Sequence, residues 1–373
     1  MKMNRVIYSA VVLMAMASCA PQVSEVTEIK GTVAEGIEEV SVVSGTVTDT
    51  IVPVVDGRFA VDIPTDITAM SVISAGGNKV GFIADGTPLT VTLDEMPSVV
   101  SKFPAISVQE KYNAFNEAES GFEREFSEKR QEIMADSTLT DEAKSEKFAA
   151  FYEDFTQRYR EFNVESVKAN QSNFIAVYAI SNLRGDADDD VMKELVAGLH
   201  PDLQEHSFIQ GLKAAIEARI ETAPGQMFKD FTVNSVVGQT RSIPPQLKYA
   251  EVKLSDYVGK GKYILLDFWA PWCGPCKRGM PDIKKVYETY GGKNFDVVSV
   301  AVWERQPVDV TISTAAKLDM TWNQINNAGS EPADIYGVEA IPHLILFGPD
   351  GTILARGFHG GEEIEATVAE YLK

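Results

Sequence analysis

Cysteine is nearly absent from this chain: Cys19, Cys273 and Cys276 are the three among 373 residues. So few thiols exclude a disulfide framework, and each domain must be held by a buried core instead. Positive charge is also short, with 34 lysines and arginines against 54 acidic residues and a net charge of -20. Phosphate contacts need a clustered basic surface, and no basic run of that size occurs, which excludes a nucleic-acid partner. The apolar run from Val6 to Met16 is too short for a comfortable membrane span. What remains is ordinary globular composition, 45% hydrophobic and 24% charged, at a length that suits two or three domains.

Lys2 and Arg5 precede that apolar run, and Ala17-Ser18 follow it. This is the charge, apolar core and small-residue junction of an export signal over residues 1–18. Cys19 at the junction resembles a bacterial lipobox, with Met16 where leucine is more usual. The resemblance implies cleavage before Cys19 and lipid attachment to it. The alternative is an ordinary secretory peptide with an incidental cysteine. Both readings export the chain; the first leaves it periplasmic in the bacterial envelope, held at a membrane by its lipid anchor only.

Residues 19–104 carry short runs rich in Val, Ile and Thr, punctuated by Asp56-Gly57, Gly76-Gly77 and Asp85-Gly86, which predicts a small antiparallel β domain. Residues 105–222 change to helical spacing. Phe115, Phe122 and Phe126 recur on one predicted helix, and Phe148, Phe151, Phe155, Tyr159 and Phe162 on a second that starts at Thr140. Such stripes read as a packing seam. Shorter helices are predicted over 172–182, 188–199 and 202–221. The acidic stretch Asp186 to Asp190 reads as a solvated loop with a helix cap, or as a weak calcium site.

Residues 223–373 carry the chemistry. Tyr263 to Trp269 is a nearly continuous apolar run, as a central strand buried on both faces requires. Trp272-Cys273-Gly274-Pro275-Cys276-Lys277 follows at once, placing a Cys-x-x-Cys where a strand turns into a helix. Unpaired N–H groups and the positive end of the helix dipole stabilise a thiolate there, so Cys273 is the expected nucleophile and Cys276, one turn further in, the shielded resolving thiol. Pro275 suits the helix start, and Pro281 predicts a kink. Half a zinc site would need a second cysteine pair, which is missing, so no metal is expected. Downstream, strands are predicted over Phe295 to Val302, Leu344 to Phe347 and Thr352 to Arg356, with a last helix over Glu362 to Leu372. Pro342 would make sense in cis, exposing the Ile341 backbone to an incoming peptide.

Taken in order, Pro224-Gly225, Asp230-Phe231-Thr232, Asp267-Phe268-Trp269-Ala270, the Cys-Gly-Pro-Cys segment, Pro281 and Ile341-Pro342 resemble the thioredoxin superfamily, and more narrowly its envelope-anchored TlpA/ResA-type proteins. The resemblance implies a thioredoxin-like α/β domain and thiol-disulfide oxidoreductase activity with no cofactor beyond the Cys273–Cys276 pair. It implies that Asp267 exchanges a proton with Cys276, that Pro342 is the cis-proline, and that Trp272 and the Gly360 region form the rim that meets the partner. Two positions depart from it. Ser299 stands where thioredoxins face the buried acid with lysine, so desolvation should raise the Asp267 pKa. His343 replaces the usual threonine, either as a cation near the dithiol or as a plain surface histidine.

The Gly-Pro spacer favours a reductant. The expected substrates are disulfides of exported proteins, with electrons from a membrane thiol-electron donor. The competing readings are a dithiol oxidase or isomerase in the same compartment, and a partner-binding lipoprotein whose redox site is secondary.

Overall fold

Alternation of apolar and polar residues organises the N-terminal strands in a computed structural model that describes residues 23–45, 47–185, 187–242, 246–358 and 361–372. The export segment, Cys19 and Gly360 lie outside the described residues. The chain divides into two units, one ending at His206 and the other starting at Ser207.

In the first unit, β1 (Val26–Val33) buries every second residue, as a strand with one face on a core must. It is followed by β2 (Glu39–Ser44), β3 (Val47–Pro53), β4 (Arg58–Pro64), β5 (Asp66–Ala75), β6 (Asn78–Ala84), β7 (Leu89–Leu93) and β8 (Ser98–Ser101). They form two four-stranded sheets, ordered β4-β1-β7-β8 and β3-β2-β5-β6, with Ile29, Phe59 and Val91 of one sharing a core with Val40, Ile73 and Phe82 of the other. The pairings are antiparallel except β1 with β7, which is parallel. Local patterning cannot reveal that exception, because five strands intervene between the two and the return path alone sets their direction.

Two long helices follow. Ser107 caps α1 (Val108–Ala135) by accepting from the Glu110 N–H, and Thr140 caps α2 (Asp141–Ala169) by accepting from that of Ala143. The aromatic stripes meet along the seam between them: Phe115 stacks on Phe162 at 5.2 Å and Phe126 lies 5.2 Å from Phe155. α3 (Phe174–Asn182), α4 (Asp189–Ala197) and α5 (Pro201–Gln204) complete the unit. The helix predicted over 202–221 is broken at Glu205–His206, and its longer part, α6 (Ser207–Glu221), belongs to the second unit. Its contacts explain the placement. Arg219 pairs with Glu339 at 2.7 Å, and Arg356 donates to the Thr222 carbonyl and to that of Tyr336.

The second unit opens with a hairpin of β9 (Thr232–Gln239) and β10 (Leu247–Lys253). Its centre is a five-stranded sheet built from β11 (Tyr263–Trp269), β12 (Phe295–Ala301), β13 (Asn323–Ile325), β14 (His343–Phe347) and β15 (Ile353–Phe358), in the order β13-β12-β11-β14-β15. β11, β12 and β13 run parallel, while β14 and β15 are antiparallel. Helices α7 (Gly274–Tyr290), α8 (Val308–Lys317), α9 (Glu331–Ile335) and α10 (Gly361–Tyr371) complete it. The middle strand is apolar throughout because Leu265 and Trp269 enter one core while Ile264, Leu266 and Phe268 enter another on the opposite face. The hairpin partner β10, the short strand β13 and the helices α8 and α9 carry no strong local signal and come from the structure alone.

A buried carboxylate ties the first unit's sheets to the start of α1. Asp85, 2% exposed, accepts from the Thr87 N–H and hydroxyl, from the Ser107 hydroxyl and from the Gln109 N–H. Asp85→Ala would orphan these donors, so a loss of about 2–3 kcal/mol is expected in urea unfolding followed by circular dichroism, with Asp85→Asn recovering part of it.

Candidate active site

The geometry of the dithiol follows from the abrupt passage from β11 into α7. Cys273 is the N-cap of α7 in extended conformation, and its Sγ accepts from the Cys276 N–H at 3.1 Å. That N–H is one of the orphan donors every helix start leaves, so the sulfur occupies the place a serine or aspartate cap would take. Pro275, in the first turn, has no N–H to satisfy. The two cysteines form a disulfide across a Cα separation of 5.3 Å. Cys273 is 3% exposed and Cys276 1%, so a partner must reach the pair through a narrow opening. Pro281 lies inside α7, which continues to Tyr290.

The Ile341–Pro342 bond is cis, and the Ile341 carbonyl oxygen lies 3.7 Å from Cys273 Sγ. His343 turns the other way. Its ring packs edge-on to Phe268 and lies 3.4 Å from an Arg356 nitrogen, on the sheet face opposite the core that holds both cysteines. The expectation of a cation tuning the dithiol therefore lacks the geometry, because the strand's alternation sends this side chain to the other face.

Asp267 is fully buried, two residues before Trp269 on the face of β11 that packs under α7. Register sets Ser299 of β12 beside it, and the Ser299 hydroxyl donates to Asp267 Oδ2 at 2.8 Å. A residue that sequence reading missed fixes that direction. Trp322 Nε1 lies 2.8 Å from Ser299 Oγ, and an indole N–H can only donate, so the serine's own proton is left for the carboxylate. Nothing local marks Trp322, which reaches the site from the loop after α8. Asp267 Oδ1 has no hydrogen-bond partner among the described residues. Burial raises the Asp267 pKa to about 7, with the Ser299 hydrogen bond pulling against it.

The rim also contains more than the sequence suggests. Trp272 donates its indole N–H to the Trp303 carbonyl at 2.8 Å, and the Arg305 guanidinium lies 4.2 Å from the Trp272 ring centroid. Trp303 has a φ of 51°, an uncommon conformation for a bulky residue that tends to be kept at functional sites. No group of three or more His, Cys, Asp or Glu side chains able to hold a metal ion occurs among the described residues, and no helix among them is long and apolar enough to cross a membrane.

The AhpC/TSA family profile matches residues 224–356. The thiol-disulfide oxidoreductase ResA of Geobacillus kaustophilus is 31% identical over 121 residues, covering 32% of this chain and 67% of that protein. The chain belongs to the thioredoxin superfamily, with the ResA-type oxidoreductases. It is a thiol-disulfide oxidoreductase. The ResA protein of Oceanobacillus iheyensis is 32% identical over 116 residues, 31% of this chain and 58% of that relative. Among solved structures, the thioredoxin domain of a thiol-disulfide oxidoreductase from Bacteroides vulgatus is 26% identical and covers 40% of this chain and 99% of its own, at a TM-score of 0.34. The family profile stops short of the first 223 residues. The Ser299 hydroxyl faces Asp267 directly, with the Trp322 indole behind it.

Two outcomes follow for Asp267. Ser299→Ala removes the one donor that favours its charged form, and Trp322→Phe frees the hydroxyl to accept instead, so both should move the carboxyl titration upward from about 7, as read by carbon NMR of the labelled side chain. The folded-state value also lies above the usual 3.9 of an unfolded aspartate, so this group lowers stability as pH rises from about 4 to about 7, with no further loss above that. Asp267→Asn should therefore be more stable than the parent at pH 8, by on the order of 4 kcal/mol, with the gap closing toward pH 4. Urea unfolding of the oxidised proteins at the two pH values measures it, and a gap independent of pH would contradict the buried charge.

Proposed function

We propose that the chain reduces disulfides of exported proteins, with Cys273 as attacking thiolate and Cys276 as resolving thiol, and that a lipid on Cys19 holds it at the surface of a membrane in the bacterial envelope. The observation that carries this reading is the Cys276 N–H aimed at Cys273 Sγ from 3.1 Å at the mouth of α7. Once the pair is reduced, the same N–H and the helix dipole favour negative charge on that sulfur.

The Cys273 thiolate attacks one sulfur of the substrate disulfide, forming a mixed disulfide and expelling the other sulfur as a thiolate that takes up a proton. Cys276 then gives its proton to Asp267, attacks Cys273 Sγ and expels the second substrate thiolate. Two electrons pass to the substrate, and the Cys273–Cys276 disulfide is left. A carboxyl that titrates near 7 can accept and return that proton at neutral pH. Trp272 and the Ile341 backbone beside Pro342 form the substrate rim. No cofactor is needed beyond the cysteine pair, and a membrane thiol-electron donor regenerates the dithiol. The Gly-Pro spacer supports the reducing direction, because thioredoxin lies near about -270 mV and strong oxidants near about -120 mV.

Cys276→Ala should leave substrates attached to Cys273 as mixed disulfides, recoverable from envelope extracts and released by reductant. Equilibration with glutathione should place the parent pair toward the thioredoxin value. A potential at the oxidant end would sink the reducing direction and favour a dithiol oxidase.

A further inference from the structure

Cations stand on both sides of the reactive sulfur in a chain whose net charge is -20. Before Cys273 comes Trp272, with the Arg305 guanidinium 4.2 Å from its ring centroid. After it comes Gly274, where a β-carbon would sit 3.4 Å from Arg278 Nη1, so this second guanidinium lies against the turn between the cysteines. Both arginines are exposed, and neither has a carboxylate partner within ion-pair distance among the described residues. The nearest acids in sequence are engaged elsewhere. Glu304 accepts from the Thr311 hydroxyl and from the N–H groups of Asn327 and Ala328, and Asp282 sits against Gly361.

The stacking changes what a partner meets. In an unstacked rim, an incoming chain would lie on the apolar face of the indole. Here the guanidinium lies over that face, and its N–H groups have no carboxylate to donate to among the described residues. A carboxylate matches that fork in shape and charge. The overall negative charge does not cancel the effect, since salt screens charges farther off than about 8 Å and leaves the rim cations to act at contact.

We propose that Arg305, with Arg278, makes this a site for disulfides whose reactive cysteine is flanked by aspartate or glutamate; the inference rests on the disulfide-reducing reading above. The carboxylate docks on the guanidinium edge as Cys273 reaches the sulfur. Arg305 thus acts as a specificity residue and takes no part in the sulfur exchange.

The test uses the full chain, prereduced and freed of reductant. Three synthetic peptides each hold one disulfide and differ only in having Glu, Lys or Gln beside the cysteine. The readout is the ratio of second-order reduction rates, Glu over Lys, within each protein variant, so that a general loss of activity cancels. The parent should prefer the Glu peptide about fivefold at about 0.15 M salt, with the ratio falling toward one at about 1 M. Arg305→Glu should invert the ratio. If charge reversal disturbs the loop, Arg305→Gln should bring it close to one, and the salt dependence of the parent needs no variant. Equal rates for all three peptides would overturn the charge selection and leave the reducing reading intact. Failure to reduce even the Gln peptide would overturn both.

Discussion

One hydrogen bond organises the site: the Cys276 N–H pointing at Cys273 Sγ. It exists because the chain leaves a strand buried on both faces and enters a helix within four residues, so that a sulfur takes the place of the usual oxygen acceptor and caps the helix. Everything else that matters chemically is arranged around this junction. The strand brings Asp267 beneath the helix, the loop after β12 brings Trp303 and Arg305 beside Trp272, and the cis bond brings the Ile341 carbonyl within 3.7 Å of the same sulfur.

The electrostatics around this junction work in opposite directions on two acids. The helix start favours a thiolate at Cys273, whereas burial disfavours a carboxylate at Asp267. The first effect makes an attacking group available, and the second keeps a proton acceptor poised near neutral pH. The Ser299–Trp322 chain moderates the second: a donor-only indole commits the serine proton to Oδ2 and leaves Oδ1 without a partner among the described residues. With a hydroxyl and no cation as its partner, burial is the larger of the two effects on this carboxyl.

The N-terminal unit follows simpler rules. Its aromatic stripes close on one another as the seam between α1 and α2. The buried carboxylate of Asp85 is fully engaged by backbone and hydroxyl donors and serves the fold. Neither feature carries reactivity.

How much could be read in advance depended on the range of the forces involved. The cysteine pair, the buried strand before it, the acid within that strand and the cis-proline each announce themselves over a few residues, since capping, alternation and proline geometry are local. Ser299 opposite Asp267 was within reach too, because strand register carries a residue type to a predictable neighbour. Trp322, Trp303 and Arg305 were not legible: loops from distant parts of the chain place them, and no local spacing encodes which side chain a loop will deliver. The parallel pairing of β1 with β7 and the loss of α6 to the second unit have the same origin. Sequence by itself determined where the cysteine pair and the acid behind it lie; tertiary packing decided which residues hydrogen-bond that acid and which side chains stand at the rim, because burial and long-range contact exist only once the chain has closed on itself.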